Sequence, residues 1–166
     1  MISKSISDAT LARFAKEVAK YPADQKQSAV MACLAIVQQE LGHVSTDSEQ
    51  VVADYLGMAP IAVHEVTTFY NMYNQQAYGK YKLNVCTNLP CQLRDGDRAL
   101  KHLEQKLGIS MGQTTPDGLF TLQQCECLGA CADSPVLLVN DRTMCSFMTG
   151  EKLDQLVDGL RAAGDK

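Results

Sequence analysis

The sequence holds seven cysteines among 166 residues, yet it contains no Cys-x-x-Cys. That absence removes the spacing a thioredoxin-type dithiol uses for its redox pair. There is no Gly-x-Gly-x-x-Gly and no phosphate-binding loop, so no site for NADH or flavin is legible in the chain itself. No basic run occurs and the formal net charge is −4, which argues against nucleic acid as a partner. The longest uninterrupted apolar run, Ala29 to Val37, falls far short of the roughly 20 residues needed to cross a bilayer. The opening Met1-Ile2-Ser3-Lys4-Ser5 has no apolar signal core. An odd number of cysteines without an export signal favours metal or thiol chemistry over a disulfide scaffold, in a cytoplasmic setting.

What is present divides by period. Leu11, Phe14, Ala15, Val18 and Tyr21 repeat at helical spacing, and Pro22 ends the segment. A second helix is expected from Asp24 to Leu41, apolar nearly all round at its centre, with Gly42 as its stop. Thr46 and Glu49 have the spacing of a capping box for a third helix. Pro60 suits the first turn of a fourth, in which Ile61, Val66, Phe69 and Tyr70 are available to pack. After Gly79 the pattern changes. Tyr81, Leu83 and Val85 alternate as in a strand, and Asp95 to Leu107 reads as a helix. Phe120 to Gln124, Pro135 to Asn140 and Thr143 to Phe147 read as strands, and Gly150 to Ala163 as a closing helix. The expected fold is α+β: a helical domain over residues 1–78, then an α/β domain over 79–166.

Four of the cysteines are the candidate site. Cys86 and Cys91 enclose four residues, Cys127 and Cys131 enclose three, and each pair follows a strand-like stretch. Two thiolate pairs on adjacent loops suit a four-thiolate metal centre. Structural zinc tolerates gaps of two to four residues, so it is disfavoured and stays open. Wider loops suit a [2Fe–2S] cluster, in which each pair closes on its own iron. Cys33 lies in the apolar helix and reads as a core thiol, as does Cys145 on its short strand. Cys125, two residues before Cys127, is the competing ligand, because residues two apart on a strand point the same way. Gly129 is expected to let the backbone fold closely and offer N–H groups to sulfur. Pro90 and Pro135 stiffen the loops or merely punctuate them. His64-Glu65 begins like a zinc-protease helix, but Thr68 stands where the second histidine is required. Asp95-Gly96-Asp97 lacks the remaining ligands of a calcium loop and reads as a solvated helix start.

The segments Val85-Cys86-Thr87-Asn88-Leu89-Pro90-Cys91 and Glu126-Cys127-Leu128-Gly129-Ala130-Cys131, with Pro135 after them, resemble the thioredoxin-like [2Fe–2S] ferredoxin family. So do His64 to Tyr73 and Gly112 to Leu122. Within that family the pattern is similar to the E-type subunits of bacterial NADH:quinone oxidoreductases (complex I). The resemblance implies a thioredoxin-like arrangement for the second domain, with Cys86, Cys91, Cys127 and Cys131 as cluster ligands. It implies one-electron exchange at low potential with FMN on the neighbouring flavoprotein subunit, the F-type member of the complex. FMN and NAD(H) would sit on that partner only, and the larger iron–sulfur subunit of the module would be a further partner. The complex would lie on the inner face of the cell membrane, with no direct insertion by this chain. The homologous small subunit of an NAD-linked formate dehydrogenase or bidirectional hydrogenase fits the same residues. A zinc-clipped interaction module is the alternative from a different class.

Overall fold

The computed structural model describes residues 6–164; the opening residues 1–5, read above for the lack of a signal core, lie outside them. The chain divides into two compact units, Met1–Ala77 and Tyr78–Lys166.

The first unit is helical: α1 (Asp8–Val18), α2 (Val30–Leu41), α3 (Thr46–Leu56) and α4 (Pro60–Phe69). Two of these helices show how the sequence starts them. The Ser7 hydroxyl accepts from the Thr10 N–H at 3.2 Å, and Pro60, which has no N–H to satisfy, occupies the first turn of α4. Phe14, Leu34, Val37, Val52, Leu56 and Val63 form the core. Burying each such side chain contributes about 1.5–3 kcal/mol.

Three sequence expectations shift here. The second helix starts later than Asp24, because Lys26–Ala29 forms a 3₁₀ turn before α2. The cap of α3 is Ser45, whose hydroxyl accepts from the Ser48 N–H at 3.3 Å. Glu49 is therefore no capping-box partner; it is buried, takes the Thr67 hydroxyl and pairs with His64 Nδ1 at 2.9 Å. Finally, α4 turns Val63 and Thr67 inward, which leaves Ile61 and Phe69 64% and 80% exposed. Of the aromatic residues that follow, only Tyr73 joins the core, its hydroxyl donating to the Met31 carbonyl at 2.9 Å.

The second unit is a four-stranded sheet in the order β2-β1-β3-β4, with β1 (Tyr81–Cys86), β2 (Phe120–Cys125), β3 (Leu137–Val139) and β4 (Thr143–Cys145). β1 runs parallel to β2 and antiparallel to β3; β3 and β4 form an antiparallel hairpin. Asn140 and Asp141 both have left-handed φ, at 51° and 56°, as a tight hairpin turn requires. One short helix, α5 (Leu89–Gln92), follows β1. α6 (Gly96–Leu107) packs on β1 and β2, and α7 (Gly150–Gly164) packs beside α6. Leu83, Val85, Phe120, Leu122 and Leu137 on the sheet meet Leu103, Leu153 and Val157 on these helices. Successive strand residues point to opposite faces, so Tyr81, Leu83 and Val85 take the helix-packed face. Cys86 is thereby turned to the other face, at the end of β1.

Candidate metal centre

Cys86 ends β1 and Cys91 lies within α5, a few residues further on. Cys127 follows the end of β2, and Cys131 opens a 3₁₀ turn, Cys131–Asp133, before β3. Since β1 and β2 are parallel neighbours, both loops leave the same end of the sheet. The parallel order therefore brings together residues 40 apart: the Cys86 thiol donates to the Glu126 carbonyl at 3.4 Å. The Thr87 N–H binds the Cys125 carbonyl at 3.1 Å, and Arg94 Nη1 donates to the Ala132 carbonyl at 3.0 Å. These contacts hold the two loops against one another.

The thiols gather by pairs. The Cys86 thiol is pushed up by burial and by its neighbour Cys91, while backbone N–H groups of Asn88 and Leu128 pull it down. The Cys131 thiol is raised by partial desolvation, then by Cys127 and more weakly by Cys91. Cys86 and Cys91 are buried, whereas Cys127 and Cys131 are exposed. Among the described residues no group of three or more His, Cys, Asp or Glu is disposed to hold a single metal ion; the loop cysteines fall into two pairs, Cys86 with Cys91 and Cys127 with Cys131.

Backbone donors complete the fit. The Gly129 N–H lies 3.4 Å from Cys127 Sγ. Gly129 has φ of +73°, and a Cβ there would meet nothing within 4 Å. The glycine thus supplies a left-handed backbone that other residues rarely adopt. Gly96 is the reverse case. It is buried at the start of α6, where a Cβ would come within 2.8 Å of the Cys91 carbonyl oxygen and 3.1 Å of that of Cys86. The solvated-start reading holds for Asp95 but not for Gly96, which seats α6 on the first cysteine loop. Gly96→Ala is expected to displace that loop at a cost of about 1–3 kcal/mol. Thermal unfolding and metal uptake of the variant, measured side by side with the parent, check this; parent-like values in both would refute it.

Cys125 pairs in register with Cys86 on the same sheet face and packs with Cys86, Cys91 and Val136. Burial, reinforced by Cys86, Cys91 and Cys127, pushes its thiol up to about 12. Cys33 is buried in the helical core, its thiol raised to about 11 by burial and by Glu17, and Cys145 sits on β4 opposite Leu137. Neither belongs to the cluster of residues around the loops. Ser134 and Arg94, which link the loops, carry no spacing signal, so sequence alone does not single them out. His64, near-miss of a zinc-protease motif, serves the buried Glu49 instead.

The family model of the thioredoxin-like [2Fe–2S] ferredoxins matches residues 14–161. The chain belongs to the thioredoxin-like [2Fe–2S] ferredoxin family. Among relatives, it is 40% identical over 144 residues to NADH-quinone oxidoreductase subunit 2 of Thermus thermophilus, covering 87% of this chain and 80% of that one. Identity is also 40%, over 145 residues, to the E-type subunit of the NADH-quinone oxidoreductase of Rickettsia conorii, covering 87% and 86%. Among solved structures, an NAD⁺-reducing [NiFe]-hydrogenase in the air-oxidised state superposes with a TM-score of 0.68 at 18% identity, over 81% of this chain and 23% of that one. At that identity the likeness concerns the fold. No helix among the described residues is long and apolar enough to cross a membrane.

Proposed function

We propose that Cys86, Cys91, Cys127 and Cys131 hold a [2Fe–2S] cluster, and that the chain is the E-type electron-transfer subunit of an NADH:quinone oxidoreductase. The observation that carries the reading is the meeting of two thiol pairs on loops from one end of the sheet. When bound, the cluster supplies a one-electron carrier. The residues around it decide how readily it is reduced. Glu126 and Asp133 beside the ligands oppose added negative charge. The N–H groups of Gly129, Asn88 and Leu128 favour it. The balance supports a low potential, in the lower half of the range such clusters span.

The buried pair, Cys86 and Cys91, excludes water, and the exposed pair opens to a docking partner. Leu89 and Leu93, 62% and 78% exposed, flank Cys91 and suit an apolar contact. The partner is the flavoprotein subunit with FMN and the NADH site, and the larger iron–sulfur subunit lies in the same module. The whole would sit on the inner face of the membrane without insertion by this chain. The helical domain over 1–78 would serve docking, and the domain over 79–166 would carry the cluster; the compact units support this division.

A second reading keeps the chemistry and changes the complex, to the small subunit of an NAD-linked hydrogenase or formate dehydrogenase. Identity of 40% to NADH-quinone oxidoreductase subunits supports the first. The purified full chain is expected to be brown and to oxidise no NADH by itself. With the flavoprotein subunit added, NADH should bleach its visible absorption. A colourless, zinc-containing product would replace the cluster by a structural clip, and NADH turnover by the flavin-free chain would contradict the division of labour.

A further inference from the structure

Ser134 is the one hydroxyl that touches both cysteine loops among the described contacts. It is buried, 3% exposed, and its Oγ lies 3.2 Å from Cys91 Sγ, itself 1% exposed. The same Oγ lies 2.8 Å from the Cys131 carbonyl oxygen. With Cys91 as a thiol the contacts form a chain. The Cys91 S–H donates to Oγ, and the Ser134 O–H donates to the Cys131 carbonyl, so every hydrogen is used once.

That chain changes when Cys91 serves as a ligand, because a thiolate has no proton to give. Two acceptors, the Cys91 sulfur and the Cys131 carbonyl, then face a single hydroxyl hydrogen. Hydrogen bonds to an ionised acceptor are roughly twice as strong as those to a neutral one. The buried setting strengthens the bond further. The sulfur therefore takes the hydrogen, and takes it more firmly as negative charge on it rises. A donor that binds the more negative state better favours that state.

We propose that Ser134 is a positioning residue that donates its hydroxyl hydrogen to the Cys91 thiolate and so makes the centre easier to reduce than its acidic surroundings alone would allow. This rests on the four-cysteine reading above. The hydroxyl offsets part of the repulsion from Glu126 and Asp133, and it does so on the buried pair, where the Cys127 and Cys131 side lies open to water. Such a role is separate from holding the loops together, since Arg94 to Ala132 and Thr87 to Cys125 already do that.

The test uses the full chain, anaerobically reconstituted with iron and sulfide, as parent, Ser134→Ala and Ser134→Thr. Visible absorption reports cluster content, and a redox titration followed by EPR reports the midpoint potential. The Ala variant should keep its absorption and lose about tenfold in the reduced-to-oxidised ratio at a fixed potential, a fall of about 59 mV for a one-electron couple. The Thr variant, which keeps the hydroxyl, should restore the parent potential. An Ala variant with normal absorption and the parent potential would overturn the proposal, as would a Thr variant that behaves like Ala. Should Ala fail to take up the cluster, Thr and Val, which differ in little but the hydroxyl, give the comparison. A Val variant at the Thr potential, or one that alone stays colourless, would assign Ser134 to assembly and overturn the electronic role. A colourless parent would sink the four-cysteine reading itself, an outcome distinct from all of these.

Discussion

Cys86→Ser, Cys91→Ser, Cys127→Ser and Cys131→Ser should each abolish or distort the visible and EPR spectra of the reconstituted chain, while Cys33→Ser and Cys145→Ser leave them intact. The contrast follows from position. The first four stand on loops tied together at one end of the sheet, whereas Cys33 is sealed in the helical core and Cys145 lies across the sheet on β4. A hydroxyl oxygen in place of a thiolate is a harder, weaker donor to iron, so loss or distortion of the spectrum is the expected range. Normal spectra from any one of the four would remove that residue from the ligand set. Cys125→Ser is the sharpest member of the series. Its thiol shares a sheet face with Cys86, but the residues that resemble the family pattern centre on Cys127 and Cys131. The spectrum should survive. A colourless Cys125→Ser product with an unchanged Cys127→Ser would move the second pair's first ligand from Cys127 to Cys125.

Deleting Met1–Ala77 should leave a brown chain that binds the flavoprotein subunit at least about a hundredfold more weakly, roughly 2.8 kcal/mol at 1.4 kcal/mol per decade. The second unit has a core of its own, with Leu83, Phe120, Leu122 and Leu137 against Leu103, Leu153 and Val157, so its cysteine loops keep their support. The first unit spends less of its apolar surface inward than its sequence suggested. Ile61, Phe69 and Met72 are 64%, 80% and 50% exposed, and Tyr70 stacks edge-on against Phe69 with ring centroids 5.0 Å apart. Aromatic and methionine side chains in the open are enriched where proteins meet. Binding by the truncated chain at undiminished affinity would place docking on the cysteine-bearing unit, where Leu89 and Leu93 are exposed apolar residues beside the first loop.

The series of elements was legible because the apolar period changes cleanly near Gly79, from helical repeats to alternation at Tyr81, Leu83 and Val85. Boundaries moved at the start of α2, and β3 and β4 are shorter than 135–140 and 143–147; one cap moved because local and distant demands competed. Glu49 has the spacing of a capping partner, but a buried carboxylate beside Thr67 and His64 is worth more satisfied across helices than within one. α4 spreads apolar residues over more than one face, Ile61, Val63, Val66 and Phe69, so sequence could not say which would be covered. Its interior contacts chose Val63 and Thr67 over Ile61 and Phe69.

For the centre, the cysteine spacing and the residues flanking it were enough to select two pairs and the chemistry they suit, because ligand type and loop length are local properties. Which pair is buried was not local. Cys86 and Cys91 are covered where β1 runs inside the sheet, while Cys127, after the edge strand β2, and Cys131 lie in water. The same holds for Gly96, Arg94 and Ser134. Each acts on a cysteine loop through a contact that depends on folding, and for Arg94 and Ser134 parallel pairing of β1 with β2 has first to close a separation of about forty residues. A spacing pattern records which residues can bind together. The hydrogen bonds and steric limits that hold them in place are set by backbone atoms brought close by folding, and those leave no pattern in the chain.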